Sequence, residues 1–265
     1  MDFSRIKMVV TDMDGTLLNS NHEVSHQFYQ IFEKLKERNI QFVAASGRQY
    51  HSMASKLESV KDDVLFIAEN GAMIKRMNKT IMTTPLATKY IQTIINKAHS
   101  IADAHPVLCT EHTAFVGNTS DQFLTLLKEY YKEFTVVDDL SAIKEEILKI
   151  AIYHFTDSEK HLYPHLQFLE NELKVKVSGA HWVDVSDSNA HKGFALEKVM
   201  TQHGITADEL MVFGDYNNDL EMLQLSNYSY AMANAHPNVK KTAKYETLSN
   251  DENGVEFILN QIIQT

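Results

Sequence analysis

Residues 7–19 read KMVVTDMDGTLLN, and the fold turns on how that stretch is parsed. Its first part is a short, continuously apolar run, the pattern of a strand buried on both faces of a parallel sheet. Successive side chains of an extended chain alternate, so Asp12 and Asp14 leave the strand on one side and Met13 on the other. Gly15 then permits a tight turn without a Cβ penalty. Ligands of open α/β sheets sit beyond the carboxyl ends of the strands, which is where this acidic pair falls. Alone, an Asp-x-Asp is more often a solvated loop pair than a site.

Working outward, SHQFYQIFEKLKERN places Phe28, Ile31, Phe32 and Leu35 on one helical face, between a cap at Ser25 and a stop at Asn39. IQFVAAS is a second buried strand, which completes a β-α-β unit. A helix carrying Met53, Leu57 and Val60 leads to the strand VLFIA, the turn ENG, and a hairpin of AMIKRM and TIMTT around NK.

From about residue 83 the pattern changes. TKYIQTIINKAHSIAD reads as helix, VLCTEHTAFVG as strand, DQFLTLLKEYYKEF as helix and EILKIAIYHFT as strand. SEKHLYPHLQFLENEL reads as one helix with Pro164 in its first turns, and KVKVSG with HWVDVSD as a strand pair. That is an α+β module with antiparallel pairing, inserted between parallel units. HKGFALEKVMTQHG is a helix with Gly204 as its C-cap, after which LMVFGD restores the buried-strand pattern. NDLEMLQLS, HPNVKKTAK and GVEFILNQII are helices, and YSYAMA is a strand. The predicted fold class is therefore α/β, with one core domain over residues 1–82 and 188–265 and an inserted α+β domain over residues 83–187.

The 265 residues exceed what one hydrophobic core usually organises, which agrees with a larger and a smaller domain. A formal charge of −10 argues against a nucleic-acid partner or an anionic membrane surface, since both demand a basic face. Cys109 is the single cysteine, so no intramolecular disulfide forms, and it reads as a small core residue in a reducing compartment. The opening MDFSRIKMVV lacks an export signal, and no run approaches the roughly 18 apolar residues of a membrane span. The expectation is a cytoplasmic protein.

Four further stretches carry chemistry. The second strand ends in ASGR, where the Ser46 hydroxyl and the backbone N–H of Gly47 can receive an oxyanion, or where Ser46 simply caps a helix. LMVFGDYNND ends a strand on Asp215 and Asp219, with Asn217 and Asn218 between them, either an oxygen-only donor set that suits a hard cation such as Mg²⁺ or simply an Asx-rich turn. A calcium loop is excluded there, because Leu220 stands where the loop needs glycine and Ser226 where it needs glutamate. Lys192 opens a helix, where it can neutralise phosphate or remain a solvated charge. HEVSH at 22–26 matches a zinc-protease pattern formally, but a cap at Ser25 puts His22 before the helix, so the two histidines share no face.

Together TDMDGTLLN, ASGR, ENGA, HKG and GDYNND, followed by AMANAHPNVKKTA and SNDENGV, resemble the haloacid dehalogenase superfamily. More narrowly they are similar to its Cof-type (class IIB, C2-capped) phosphatases, whose large cap is inserted between the second and third motifs. The resemblance covers nearly the whole chain, the cap matching by placement more than by sequence. It implies a Rossmann-like parallel core with helices on both faces, and a Mg²⁺-dependent phosphatase of small phosphorylated metabolites such as sugar phosphates or phosphorylated cofactors. By motif, Asp12 would be the nucleophile that forms an aspartyl-phosphate, and Asp14 the proton carrier. The metal set would be Asp12, Asp14 through its carbonyl, Asp215 and Asp219, the last either through water or as an orienter of Lys192. Ser46, Gly47, Lys192 and Asn218 would hold the phosphate, with Thr16, Arg48 and Asn70 at matching motif positions. Tyr216 departs from the small or flexible residue usual there. In the cap, Glu111, His112, His181 and Trp182 are specificity candidates. The alternatives are a phosphotransferase or sugar phosphomutase on the same machinery, and a non-catalytic phosphate-binding module, in which Asp14 would have no task.

Overall fold

In the computed structural model, which describes residues 3–131 and 133–264, the apolar run ending at Asp12 is strand β1 (Met8–Asp12), with all five residues buried. Helix α1 (His26–Glu37) starts where the Ser25 hydroxyl accepts the Phe28 N–H at 3.1 Å, satisfying one of the orphan donors of its first turn. It buries Phe28, Ile31, Phe32 and Leu35, and Phe28 and Phe32 pack on Phe42 of strand β2 (Gln41–Ala45) at ring separations of 5.0 and 5.8 Å. The chain leaves the helix through Asn39, whose φ of +57° is a conformation asparagine tolerates.

Helix α2 (Tyr50–Lys56) ends earlier than the apolar spacing predicts, yet Leu57 and Val60 are buried beyond its end. Strand β3 (Leu65–Ala68) passes into a tight turn at Glu69–Gly71 and then into the hairpin β4 (Met73–Arg76) and β5 (Lys79–Thr83). The hairpin turn is Met77-Asn78, one residue before the expected position, with φ of +50° and +61°. Left-handed backbone at both central residues matches the twist of the flanking strands.

The chain forms two compact units, one from the segments up to Met82 and from His191 onward, the other Thr83–Ala190. The second unit opens with helix α3 (Thr88–His99). The stretch expected to be one strand is a hairpin, β6 (Ala104–Cys109) and β7 (Ala114–Gly117), because Thr110 closes a turn by donating its hydroxyl to the Thr113 carbonyl at 2.8 Å. Helix α4 (Asp121–Tyr130) stops short of its predicted end, and the β-branched residues that follow form strand β8 (Phe134–Val137), parallel to β7.

Strand β9 (Lys149–His154) precedes a segment that is not one helix but three pieces: α5 (Ser158–His161), α6 (Tyr163–Leu166) and a 3₁₀ turn at Gln167–Asn171. Pro164 lies in the first turn of α6; it has no N–H to continue the ladder from α5 and its ring crowds the preceding turn. Strands β10 (Leu173–Gly179) and β11 (Trp182–Asp187) pair antiparallel, and the six-stranded sheet runs β10-β11-β9-β6-β7-β8. One face packs Leu108, Ile150 and Ile152 against Ile94, Ile95 and Ala98 of α3; the other packs Val107, Cys109 and Ala151 against Phe123 and Leu127 of α4.

The first unit resumes with α7 (Lys192–His203), closed by Gly204 at φ +64°. It continues through β12 (Leu210–Gly214), α8 (Leu220–Leu223), β13 (Tyr228–Ala231), α9 (Pro237–Thr242), β14 (Tyr245–Glu246) and α10 (Gly254–Gln264). Its sheet has the order β14-β13-β12-β1-β2-β3-β4-β5, parallel from β14 to β3 and antiparallel between β3 and β4. Strand β1 is central, its Thr11 opposite Phe213 of β12 and Ala44 of β2. Parallel neighbours end on the same edge, so Asp12, Ser46 and Asp215 emerge together there. Among the described residues no helix is long and apolar enough to cross a membrane.

Candidate active site

The site is built around a lysine with no exposed surface. Lys192 opens α7, where the His191 ring caps the helix by accepting the Phe194 N–H at 3.1 Å. Its ammonium donates to Asp12 Oδ1 at 2.6 Å and to Asp219 Oδ1 at 2.7 Å. The other oxygen of Asp219 accepts the backbone N–H groups of Asp215 at 2.9 Å and Tyr216 at 3.1 Å. Both Asp219 oxygens are thus occupied, which makes it the group that holds Lys192 and the β12 loop in place.

Asp12, Asp215 and Asp219 each bring a carboxylate oxygen within 4.8 Å of the others. Three carboxylates this close repel one another when ionised, and their oxygen-only donor set is compatible with a hard divalent ion such as Mg²⁺. Burial pushes the Asp12 carboxyl well above its ordinary value, against the pull of Lys192 and with the push of Asp219 and Asp215. Asp215 is pushed up to about 6, first by burial and then by Asp219, although Thr16 donates its hydroxyl to Asp215 Oδ1 at 3.1 Å. For Lys192 burial works against the charge, but the carboxylates of Asp12 and Asp219 outweigh it and raise the ammonium above its usual range. These shifts describe a site in which negative charge on Asp12 and Asp215 is disfavoured, a cost that a bound metal would relieve.

Gly15 is required twice over at the turn after β1. Its φ is +74°, and a Cβ there would stand 2.3 Å from Asp215 Oδ2. The turn is also tied down by Asn234, which donates to the Gly15 carbonyl at 2.8 Å.

Asp14 sits apart from the buried triad. Arg48 grips it with two bonds of 2.6 Å, Nε to Oδ2 and Nη2 to Oδ1, and His22 Nδ1 lies 3.4 Å from Oδ1. Burial alone would raise this carboxyl, but the Arg48 bonds and charge prevail and hold it below the usual carboxylate range. Arg48 is itself fixed, its N–H bonded to the buried Ser46 hydroxyl at 3.1 Å and its Nη1 to Ser52 at 3.1 Å. Gly47 lies beside the Asn70 amide, and Asn218 donates to Asn70 Oδ1 at 3.0 Å.

The structure therefore joins Asp12, Lys192, Asp215 and Asp219 directly, links Ser46 to Asp14 through Arg48, and places Asn218 against Asn70. The sequence assigned no role to Arg48 and Asn70, and it set His22 aside with the HEVSH pattern. His22 does lie before α1 and His26 begins it, and among the described residues neither joins a metal cluster. The signals for Arg48 were its place right after Ser-Gly at a strand end and its position in the ASGR motif. The four candidates of the second unit do not form one group. Glu111 and His112 lie in the β6–β7 turn, beside the Lys149 end of β9, whereas Trp182 pairs with Tyr153 near the opposite end and His181 precedes it.

A family profile described as haloacid dehalogenase-like hydrolase matches residues 9–259. The chain belongs to that family. Among its relatives this hydrolase is 26% identical to the 5-amino-6-(5-phospho-D-ribitylamino)uracil phosphatase YbjI of Escherichia coli (strain K12), over 98% of the chain and 97% of the relative. It is 24% identical to a Bacillus subtilis (strain 168) protein of the same description, YwtE, over 97% and 98%. The crystal structure of SMU.1108c from Streptococcus mutans UA159 superposes with a TM-score of 0.85 at 31% identity, covering 98% of this hydrolase and all of that chain (100%). The family places the reaction among hydrolyses.

Proposed function

We propose that this hydrolase is a Mg²⁺-dependent phosphatase of small phosphorylated metabolites, working through an aspartyl-phosphate on Asp12. The observation that carries the reading is the buried Asp12 carboxylate, held by Lys192 at 2.6 Å and converging with Asp215 and Asp219. A solvated acidic loop would not bury a lysine to serve it.

In the first half-reaction an Asp12 oxygen attacks phosphorus while the bond to the ester oxygen breaks, and Asp14, which Arg48 holds as an anion in this structure, takes up a proton from solvent and turns an oxygen from Arg48 toward the substrate before it protonates the departing alkoxide. In the second, Asp14 takes a proton from the water that attacks the acyl-phosphate, releasing phosphate and restoring Asp12. Lys192 neutralises the phosphate oxygens and keeps Asp12 aimed; Asp219 aims Lys192. Ser46, the Gly47 N–H and Asn218 hold the remaining oxygens, and Arg48 fixes the direction of Asp14. Asp12, Asp215 and the Asp14 carbonyl would hold the Mg²⁺, which when bound offsets the negative charge of nucleophile and phosphate. Residues 83–187 act as the cap that selects the leaving group.

Two relatives named for a phosphorylated ribitylaminouracil make ribityl and sugar phosphates the first compounds to test. The assay is release of inorganic phosphate from a panel of phosphomonoesters. Activity is expected to vanish in EDTA, to return with Mg²⁺, and to be absent from a folded Asp12→Asn variant. Turnover of that variant near the wild-type rate would refute the mechanism, and recovery of a transferred phosphate ester in place of free phosphate would make the enzyme a phosphotransferase.

A further inference from the structure

Where β3 ends, Glu69, Asn70 and Gly71 adopt φ of +51°, +54° and +98° in succession. Left-handed backbone at three consecutive residues, two of which carry a Cβ, is strained, because only glycine enters that region without steric cost. Strain of this kind persists where the surroundings over-determine it. The steps on Asp12 give this turn no task.

Its surroundings are the loops that hold the phosphate. The Glu69 N–H donates to the Arg48 carbonyl at 3.0 Å and the Asn70 N–H to the Ser46 carbonyl at 2.9 Å, so the turn is laced to the residues on both sides of Gly47. Gly71 packs against the start of α7, where a Cβ would stand 2.3 Å from the His191 carbonyl oxygen. The Asn70 side chain then reaches two loops at once. A Cβ on Gly47 would lie 3.0 Å from its Nδ2 and 3.2 Å from its Oδ1, and the same Oδ1 accepts Asn218 Nδ2 at 3.0 Å. Asn218 in turn precedes Asp219, which holds Lys192 through one oxygen and the Asp215 N–H through the other. One amide thus lies against Gly47 and Asn218, residues that follow different strands of the sheet.

We propose that Asn70 is a positioning residue, whose strained backbone and amide hold the Gly47 N–H and the Asn218 side chain in the directions that the phosphoryl oxygens take in the transition state. The inference rests on the phosphatase reading and adds the part that keeps two of its phosphate donors aligned. A backbone N–H and a primary amide are neutral dipoles, which stabilise developing charge well only when their directions are fixed before the reaction. Asparagine suits the place on two counts: it tolerates positive φ, and it carries an acceptor for Asn218.

The test uses Asn70→Gly, which keeps the left-handed backbone and removes the amide. With a phosphomonoester that the wild-type enzyme hydrolyses, kcat is expected to fall about ten- to a hundredfold while KM changes less than about threefold. Inhibition by orthovanadate, which adopts five-coordinate geometry in place of phosphorus, is expected to weaken by the same factor as kcat/KM. Inhibition by inorganic phosphate, which resembles the ground state, is expected to change less than about threefold. Asn218→Ala leaves the turn intact and is expected to show the same contrast between vanadate and phosphate, which keeps the test open if Asn70→Gly folds poorly. The double variant is expected to match Asn70→Gly within about threefold, because Asn218 has already lost its alignment there. Wild-type turnover in Asn70→Gly, equal weakening of vanadate and phosphate in either variant, or fully multiplied losses in the double variant would overturn the inference and leave the phosphatase reading standing. Absence of phosphate release by the wild-type enzyme from every phosphomonoester tried would overturn both.

Discussion

Replacing Lys192 with methionine keeps the volume of the side chain and removes its charge. The ammonium lies 2.6 and 2.7 Å from two carboxylate oxygens, with no exposed surface on Lys192 or Asp219. At an effective dielectric constant near 20, each contact has a gross Coulombic worth of about 6 kcal/mol. Desolvation of the three groups offsets most of that in the native protein, but in the variant Asp12 and Asp219 stay buried without their cation. Breaking a buried ion pair in this way costs roughly 3–5 kcal/mol. For a chain of this size, that lowers the melting temperature by about 6–20 °C.

The folded state raises the Lys192 ammonium above its ordinary value. Its contribution is therefore fully present below the unfolded pKa and is lost only as the pH climbs through the higher folded one. The gap between wild type and Lys192→Met should accordingly be flat from pH 7 to 9. Thermal melts by circular dichroism in EDTA, with phosphate release measured in parallel, read out both consequences. Activity should fall at least a hundredfold, the usual loss when a preorganised donor to a developing charge is removed. A variant that melts within about 2 °C of wild type would refute the energetic argument, and one that keeps a third of the turnover would refute the catalytic one.

Gly15→Ala would force a Cβ against Asp215 Oδ2 in a backbone with positive φ, so the Mg²⁺ concentration for half-maximal activity should rise about tenfold or more, measured by metal titration. Asp215→Asn should melt above wild type in EDTA at pH 7.5. The native carboxyl is pushed up to about 6, so folding loses stability as pH rises from the unfolded value through that point, and the advantage should shrink below pH 6 and reverse when Mg²⁺ is added. Arg48→Met should cost no more than about 1 kcal/mol, since the Asp14 pair is part-exposed. Because Asp14 is held below the usual carboxylate range, that cost is present above the unfolded pKa and should disappear as the pH falls through the folded one, as melts between pH 7 and pH 3 would show, while kcat drops at neutral pH.

The parallel half of the fold was legible because its strands are buried on both faces. Runs such as MVV, FVAA, LFIA and MVF need no partner to be recognised, and the acids and small residues that follow them stand out by contrast. The second unit was harder, since its strands and helices alternate in composition without clear breaks. The hairpin at Thr110 was hidden inside one apolar stretch, β8 was absorbed into the helix before it, and β14, at two residues, is too short to have a pattern. Residue types at strand ends could be read as a phosphate site. Pairings such as Arg48 with Asp14, 34 positions apart, or Asn218 with Asn70, 148 apart, depend on side-chain directions that periodicity does not encode.

The central position of β1 has a consequence for biosynthesis. One edge of this wholly buried strand is covered by β2, but the other waits for β12, which begins at Leu210. Roughly 200 residues must leave the ribosome in the interval, which at about 5–20 residues per second amounts to some 10–40 s. Throughout that time the nascent chain carries a naked strand edge ending on an acid whose counter-charge, Lys192, has yet to be translated until near the end. The intervening unit can fold first, and it would leave its host segment waiting, open to aggregation and a natural client for chaperones.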